Sequence, residues 1–284
     1  MNWTTLVSPA ELAAHLGEPG LVLVDCRNVA GGSDTGAGRE AWRQAHLPGA
    51  GYAHLDEDLS DKGKPASEGR HPLPDPVAFG ALLGRLGIGP DDQVVAYDAA
   101  DGAMAAARLW WLLRLFGHRR VAVLDGGLAA WQAAGLPLDT RTPAPKPAYP
   151  GRFDMAGVVD SDAVQARLGE APGWLVDARP PERFRGEVEP LDPVAGHVPG
   201  ALNRPFQANL REGRFLPPAE LRAGFEALLA GKAPGEVVLS CGSGVTACHN
   251  LLAMEHAGLH GARIFAPSWS GWVSDPSRPV ATGA

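Results

Sequence analysis

The chain has 284 residues, 45% of them hydrophobic and 20% charged, which is typical of a globular protein long enough for two domains. Its formal net charge of −7 and its lack of Lys/Arg-rich runs argue against nucleic acid or a membrane as a partner. The N-terminus lacks the features of a signal peptide. The longest apolar run, residues 109–116, is too short to cross a bilayer.

The first half alternates between predicted helices and buried strands. Ser8 is a good N-cap, and Pro9 fits the first position of a helix over residues 9–16. Short apolar runs then predict strands and an Ala/Leu-rich run predicts a helix. In chain order these are a strand at 21–24, a strand at 94–97, a helix at 103–116 and a strand at 121–124.

The second half repeats the first. Three segments recur in the same order with similar spacing: LVLVDCR (21–27) as WLVDAR (174–179), HLPGA (46–50) as HVPGA (197–201), and QVVAYD (93–98) as EVVLSC (236–241). Trp131 and Trp272 match near the end of each copy. Strands are predicted at 175–176, 237–240 and 264–265, and a helix at 218–230. The duplication indicates an α/β chain of two tandem domains, each a central parallel sheet flanked by helices.

The prolines between the copies suggest a domain division. Residues 139–152 contain four prolines and predict an extended linker. We therefore expect an N-terminal domain at 1–138 and a C-terminal domain at 153–284.

The chain has three cysteines, Cys26, Cys241 and Cys248. This low, odd number does not fit a disulfide framework. We expect a reducing, cytoplasmic setting, in which a thiol is either core filling or a reactive group. The spacing of Cys241, Cys248 and His249 matches no common zinc pattern, so no metal is expected.

Cys241 stands where the two copies differ most. It follows a predicted strand, precedes a glycine-rich turn and a helix, and takes the place that Asp98 has in the first copy. Gly242 and Gly244 allow several backbone N–H groups to converge on one atom, and the helix adds the positive end of its dipole. These features favour a thiolate nucleophile. Cys248, about two turns into that helix, and Cys26, at the end of a core strand, are interpreted as structural.

The segment CGSGVTA at 241–247 resembles the active-site signature of the 3-mercaptopyruvate sulfurtransferases within the tandem-domain rhodanese family. The resemblance covers nearly the whole chain, including VDAR (176–179) and GHVPG (196–200). It implies a degenerate N-terminal domain and a reaction without cofactor. In that reaction Cys241 takes sulfur from 3-mercaptopyruvate, releases pyruvate, and passes the sulfur to thioredoxin, a small thiol or cyanide.

The resemblance also implies roles for individual residues. Arg183 matches an arginine that binds the donor's carboxylate. His71 lies where family members often carry a histidine near the domain interface, and we expect it to bind substrate as well. Asp56 and Ser243 match a proton relay that assists Cys241, although Asp56 also lies in a polar run where a solvated charge is ordinary. The remaining loop residues are Gly242, Gly244, Val245 and Thr246. The family's second arginine is absent from residues 189–197, which leaves Arg185 or Arg204 to replace it.

Three alternatives remain open. A thiosulfate sulfurtransferase has the same chemistry but usually carries basic residues in the loop, where this chain has none. A cysteine phosphatase of the same fold needs an arginine at the position of Ala247. A sulfur-carrier or docking module without turnover would not need the intact Cys241 loop.

Overall fold

The structure is a computed structural model that describes residues 1–28 and 36–283. The chain forms two compact units. The first comprises Met1–Asp61, Pro74–Asp154 and Glu212–Phe215, and the second comprises Lys62–Leu73, Met155–Arg211 and Leu216–Ala284. A short segment from the first half of the sequence therefore belongs to the second unit. The domain limits expected at residues 138 and 153 stay a prediction.

A five-stranded sheet forms the centre of the first unit. The strands are β1 (Leu6–Val7), β2 (Leu21–Asp25), β3 (Gly51–Tyr52), β4 (Gln93–Tyr97) and β5 (Val121–Leu124). The helices are α1 (Pro9–Ala13), α2 (Ala37–Gln44), α3 (Pro76–Arg85), α4 (Ala106–Leu115) and α5 (Gly127–Ala133). The strand order is β1-β5-β4-β2-β3, and every pair is parallel.

The second unit repeats this arrangement. Its sheet strands are β6 (Val158–Val159), β7 (Leu175–Asp177), β8 (Leu202–Asn203), β11 (Val238–Ser240) and β12 (Arg263–Phe265). After β8 the chain forms two further short strands, β9 (Leu210–Arg211) in this unit and β10 (Arg214–Phe215) in the segment that belongs to the first unit. Its helices are α6 (Ser161–Ala166), α7 (Pro181–Phe184), α8 (Pro218–Leu229), α9 (Thr246–His256) and α10 (Ser268–Trp272). The parallel order β6-β12-β11-β7-β8 places β11 at the centre.

The duplication extends to packing. Trp131 and Trp272 are fully buried, and their indole N–H groups donate to the backbone oxygens of Pro137 (2.8 Å) and Pro279 (2.9 Å) respectively. Each therefore fills its core and satisfies its one polar group in the same way. Truncating either to alanine should cost about 3–5 kcal/mol.

Local contacts explain where elements differ from the sequence prediction. The helix predicted at 103–116 begins later, at Ala106, because the preceding N–H groups of Gly102 and Met104 donate to the buried carboxylate of Asp98. The first helix ends at Ala13, before Gly17 turns the chain in the left-handed region at φ 81°. Within the described residues, no helix is long and apolar enough to span a membrane.

Candidate active site

The loop after β11 encloses the sulfur of Cys241. This residue is 1% exposed and directly follows the last strand residue, Ser240. The backbone N–H groups of Ser243 and Gly244 donate to its Sγ at 3.4 and 3.1 Å. Gly244 has φ 76°, a conformation that favours glycine, and α9 begins two residues later at Thr246. The loop thus presents two N–H donors to a sulfur anion.

A second loop holds the backbone of Cys241 in place. The Cys241 N–H donates to Oγ of Ser268 at 3.1 Å, and the N–H of Trp269 donates to the Cys241 carbonyl at 3.0 Å. Ser268 is fully buried with φ 52°, an uncommon conformation for a residue other than glycine. Its hydroxyl also donates to the carbonyl of Phe265 at 2.8 Å. Sequence reasoning assigned Ser268 no role, since its backbone conformation has no signal in the sequence.

Of the predicted site residues, the structure brings together Ser243, expected in the relay, and His71, expected to bind substrate. A hydrogen bond of 2.8 Å joins His71 Nδ1 to Ser243 Oγ, and both residues belong to the second unit. Asp56 lies in the first unit, in the turn after β3, where its backbone N–H donates to Nδ1 of His54 at 3.1 Å. The part of Asp56 in catalysis stays a prediction.

Two arginines lie against the loop, one of which was not predicted. A Cβ placed on Gly242 would lie 3.1 Å from Nη2 of Arg70 and 3.6 Å from both Nη1 and Nη2 of Arg183. Arg183, in α7, donates to Glu189 through Nη2 (2.6 Å) and Nε (3.2 Å), and Arg70 pairs with Asp192. Arg70 directly precedes His71 in the sequence, but only His71 was expected at the site.

The arginines suggested as replacements for the missing one are engaged elsewhere. Arg185 is partly exposed and pairs with Glu187 at 2.7 Å. Arg204 Nε donates to Asn209 at 3.0 Å, and its guanidinium lies 4.0 Å from the ring centre of Phe225. Arg70, by contrast, is placed by the structure beside Gly242 together with Arg183.

The other two cysteines are held in the cores. Cys248 is the third residue of α9, closer to the loop than the two turns expected, and its thiol contacts the carbonyl of Gly244 at 3.3 Å. Cys26 is fully buried after β2, and burial raises the pKa of its thiol well above the usual range. All three cysteines are free. Among residues 1–28 and 36–283, no cluster of three or more His, Cys, Asp or Glu could hold a metal ion.

In the first unit Asp98 occupies the position equivalent to Cys241. Its carboxylate accepts hydrogen bonds from the N–H groups of Gly102 (2.9 Å) and Met104 (3.3 Å). Burial raises its pKa to about 6. The N–H groups of this loop thus donate to a carboxylate side chain, and the loop contains no sulfur nucleophile at this position.

A comparison with protein-family models gives a match to the rhodanese-like domain over residues 8–134 and again over 160–275. The chain belongs to the rhodanese family. This confirms both the family and the tandem α/β fold expected from the sequence.

Individual relatives extend the match to full length. The chain is 48% identical to a probable 3-mercaptopyruvate sulfurtransferase of Pseudomonas aeruginosa, with complete coverage of both chains. It is 40% identical to SseB, a putative thiosulfate sulfurtransferase of Mycobacterium tuberculosis, covering 98% of this chain and 97% of that one. The crystal structure of SseA, a 3-mercaptopyruvate sulfotransferase from Escherichia coli, superimposes with a TM-score of 0.80 at 32% identity, covering 94% of this chain and 99% of the other.

Proposed function

We propose that this chain transfers sulfur from 3-mercaptopyruvate to a thiol through a persulfide on Cys241. Sulfurtransferase is the class named for the Pseudomonas aeruginosa and Mycobacterium tuberculosis relatives, as the resemblance predicted. The observation that carries the proposal is the pair of N–H groups directed at Cys241 Sγ from Ser243 and Gly244. Such donors stabilise anionic sulfur in the thiolate and in the persulfide formed from it.

The reaction divides into two displacements at sulfur. The Cys241 thiolate attacks the donor's sulfur, the donor's carbon–sulfur bond breaks, and its electron pair leaves with the carbon fragment as the enolate of pyruvate. Protonation of that enolate gives pyruvate, and the enzyme retains a Cys–S–S⁻ persulfide. An acceptor thiolate then attacks the outer sulfur and forms a bond to it. The bond between that sulfur and Cys241 breaks, the acceptor leaves as a persulfide, and Cys241 regains its thiolate. The covalent intermediate thus separates donor chemistry from acceptor chemistry.

Ser243 and His71 support the first displacement. The hydroxyl of Ser243 is hydrogen bonded to His71 in the same loop that cradles Cys241, so it can orient the donor's carbonyl and relay a proton to the departing enolate. Asp56 is proposed as the third member of this relay on the resemblance alone.

Arg183 is proposed to bind the donor's carboxylate. Its guanidinium faces Gly242 beside the nucleophile, and its side chain is 15% exposed, which strengthens a charge-assisted bond relative to one in water. 3-Mercaptopyruvate carries its carboxylate two carbons from the sulfur-bearing carbon. The cation that binds this carboxylate must therefore lie beside the loop, as Arg183 does, and not within it. Thiosulfate carries its charge next to the transferred sulfur, where Gly242, Ser243, Gly244, Val245 and Thr246 offer no side-chain cation.

Thiosulfate is the second candidate donor, favoured by one observation. Residues 189–197 lack the arginine that the resemblance to the mercaptopyruvate enzymes leads one to expect. Steady-state kinetics with both donors and one acceptor separate the two, and we expect a higher kcat/KM for 3-mercaptopyruvate.

Arg183→Ala tests the donor assignment. A charge-assisted bond contributes roughly 1.5–3 kcal/mol, so kcat/KM for 3-mercaptopyruvate should fall about 10- to 100-fold, mainly through KM. The thiosulfate reaction should change less. Arg185→Ala, two residues away and paired with the exposed Glu187, is the matched control and should keep unmutated kinetics with both donors. A higher kcat/KM for thiosulfate in the unmutated protein would contradict the assignment.

The acceptor is proposed to be a small thiol or thioredoxin in a reducing, cytoplasmic setting. Because Cys241 is 1% exposed, the acceptor must present its sulfur on a narrow group: a small molecule or a protruding cysteine. The three free cysteines suit such a setting.

A further inference from the structure

Asp192 is a buried acid placed between the two loop arginines. Its side chain is 4% exposed. One carboxylate oxygen accepts a hydrogen bond from Arg70 Nη1, and the other lies 3.5 Å from Arg183 Nη2 without a hydrogen-bond partner. It stands within the stretch from which the family's second arginine is missing. This stretch thus contains a buried acid and lacks the cation that the resemblance implied.

The neighbouring Glu189 is held much more fully. It accepts two hydrogen bonds from Arg183 and two more from the backbone N–H groups of Leu191 (3.0 Å) and Asp192 (3.2 Å). Arg179 approaches the same carboxylate at 3.4 Å. Glu189 therefore fixes the orientation of Arg183, whereas Asp192 has spare acceptor capacity beside both cations.

These pairings leave the donor side of the loop close to neutral. Arg70 and Arg183 contribute two positive charges, and Glu189 and Asp192 contribute two negative charges; the charge of Arg179 is balanced by its pair with Asp177. The outward edges, Nη2 of Arg70 and Nη1 of Arg183, still face Gly242. Such a site can bind one carboxylate on the guanidinium edges that face Gly242. A dianion would bring a second negative charge close to the carboxylate of Asp192. Like charges separated by a few ångströms in a partly buried site repel strongly.

We propose that Asp192 determines donor selectivity: by neutralising Arg70, it makes the site favour monoanionic donors such as 3-mercaptopyruvate over dianionic donors such as thiosulfate. The proposal rests on the proposed function, since it concerns donors to Cys241. Arg70 supplies the second cation, and Asp192 limits its net charge.

Asp192→Asn tests the proposal because it keeps the shape of the side chain and removes its charge. The ratio of kcat/KM for thiosulfate to kcat/KM for 3-mercaptopyruvate, measured with cyanide as the common acceptor, should rise on the order of 10-fold. The rise should shrink in higher salt, since screening weakens the repulsion that Asp192 exerts. Glu187→Gln removes an exposed acid two residues before this stretch and should leave the ratio unchanged.

The double variant with Arg70→Gln and Asp192→Asn tests whether the gain with thiosulfate depends on Arg70. The gain with thiosulfate should disappear, because the cation that Asp192 neutralises is then gone. An unchanged donor ratio in Asp192→Asn, an equal loss with both donors, or a gain that persists without Arg70 would each overturn the proposal. These results are distinct from failure of the proposed function, which would appear as no sulfur on Cys241 after incubation of the unmutated protein with 3-mercaptopyruvate.

Discussion

At the scale of single residues, the equivalent loops of the two copies donate backbone hydrogen bonds to different side chains. In one, N–H groups converge on the Sγ of Cys241, and in the other they converge on the carboxylate of Asp98. The sequence predicted Cys241 because the pattern of strand, glycine turn and helix is local. It did not predict Arg70 as a site residue, because Arg70 reaches Gly242 only through the fold, from a distant part of the chain.

Asp98 should make stability depend on pH. Burial raises its pKa from 3.8 to about 6, so the unfolded chain ionises first and the folded state loses stability as the pH rises between those values. The loss should reach about 3 kcal/mol. In Asp98→Asn this dependence should be absent, so denaturant midpoints of the unmutated protein should fall relative to the variant's from pH 4 to pH 7, the range about the two pKa values.

A control at an exposed acid separates this effect from general charge. Asp162, whose side chain is 90% exposed, lies in α6 of the second unit. Asp162→Asn should retain the pH profile of the unmutated protein. If the profiles of Asp98→Asn and the unmutated protein run parallel, Asp98 is not the cause.

At the scale of elements, the segment Lys62–Leu73 completes the site of the second unit. Its 3-10 turn, Ala66–Glu68, packs on α10, and the Arg70 N–H donates to Ser270 Oγ at 2.9 Å. The sequence pattern predicted the longer central strands, whose apolar runs are continuous. It missed the edge strands, which have only two residues each, and this segment, whose only regular element is a three-residue turn; neither gives a periodic signal.

Gly69→Ala should disturb this segment. Gly69 has φ 84°, and a Cβ there would lie 2.4 Å from the carbonyl oxygen of Pro267, so the segment must move and carry Arg70 and His71 with it. We expect kcat/KM for 3-mercaptopyruvate to fall at least about 10-fold, while the chain still folds with about 1–2 kcal/mol less stability. Steady-state kinetics and circular dichroism measure the two effects.

Gly117→Ala is the matched control for backbone strain. Gly117 has φ 91°, but a Cβ there meets no atom within 4 Å. This variant should lose similar stability and keep its activity. Equal activity in the two variants would show that the position of the 62–73 segment does not matter to transfer.

At the scale of the whole molecule, duplication produced two sheets of the same order, and only one copy has a cysteine at the end of its central strand. Repeated motifs made the fold predictable, since both copies needed the same core. The differences between them located the site. Asp192, an acid in the stretch that lacks the second arginine, became interpretable only when the structure placed it between Arg70 and Arg183.

The most direct test of the account is the mass of the peptide that contains Cys241 after incubation with 3-mercaptopyruvate and no acceptor. We predict the addition of one sulfur atom to that peptide, the release of one pyruvate per chain, and the loss of the added sulfur when a thiol is supplied. Cys241→Ser should abolish all three, while Cys248→Ser should retain them. Sulfur found on Cys248 or Cys26, or pyruvate released by Cys241→Ser, would contradict the assignment of Cys241 as the nucleophile.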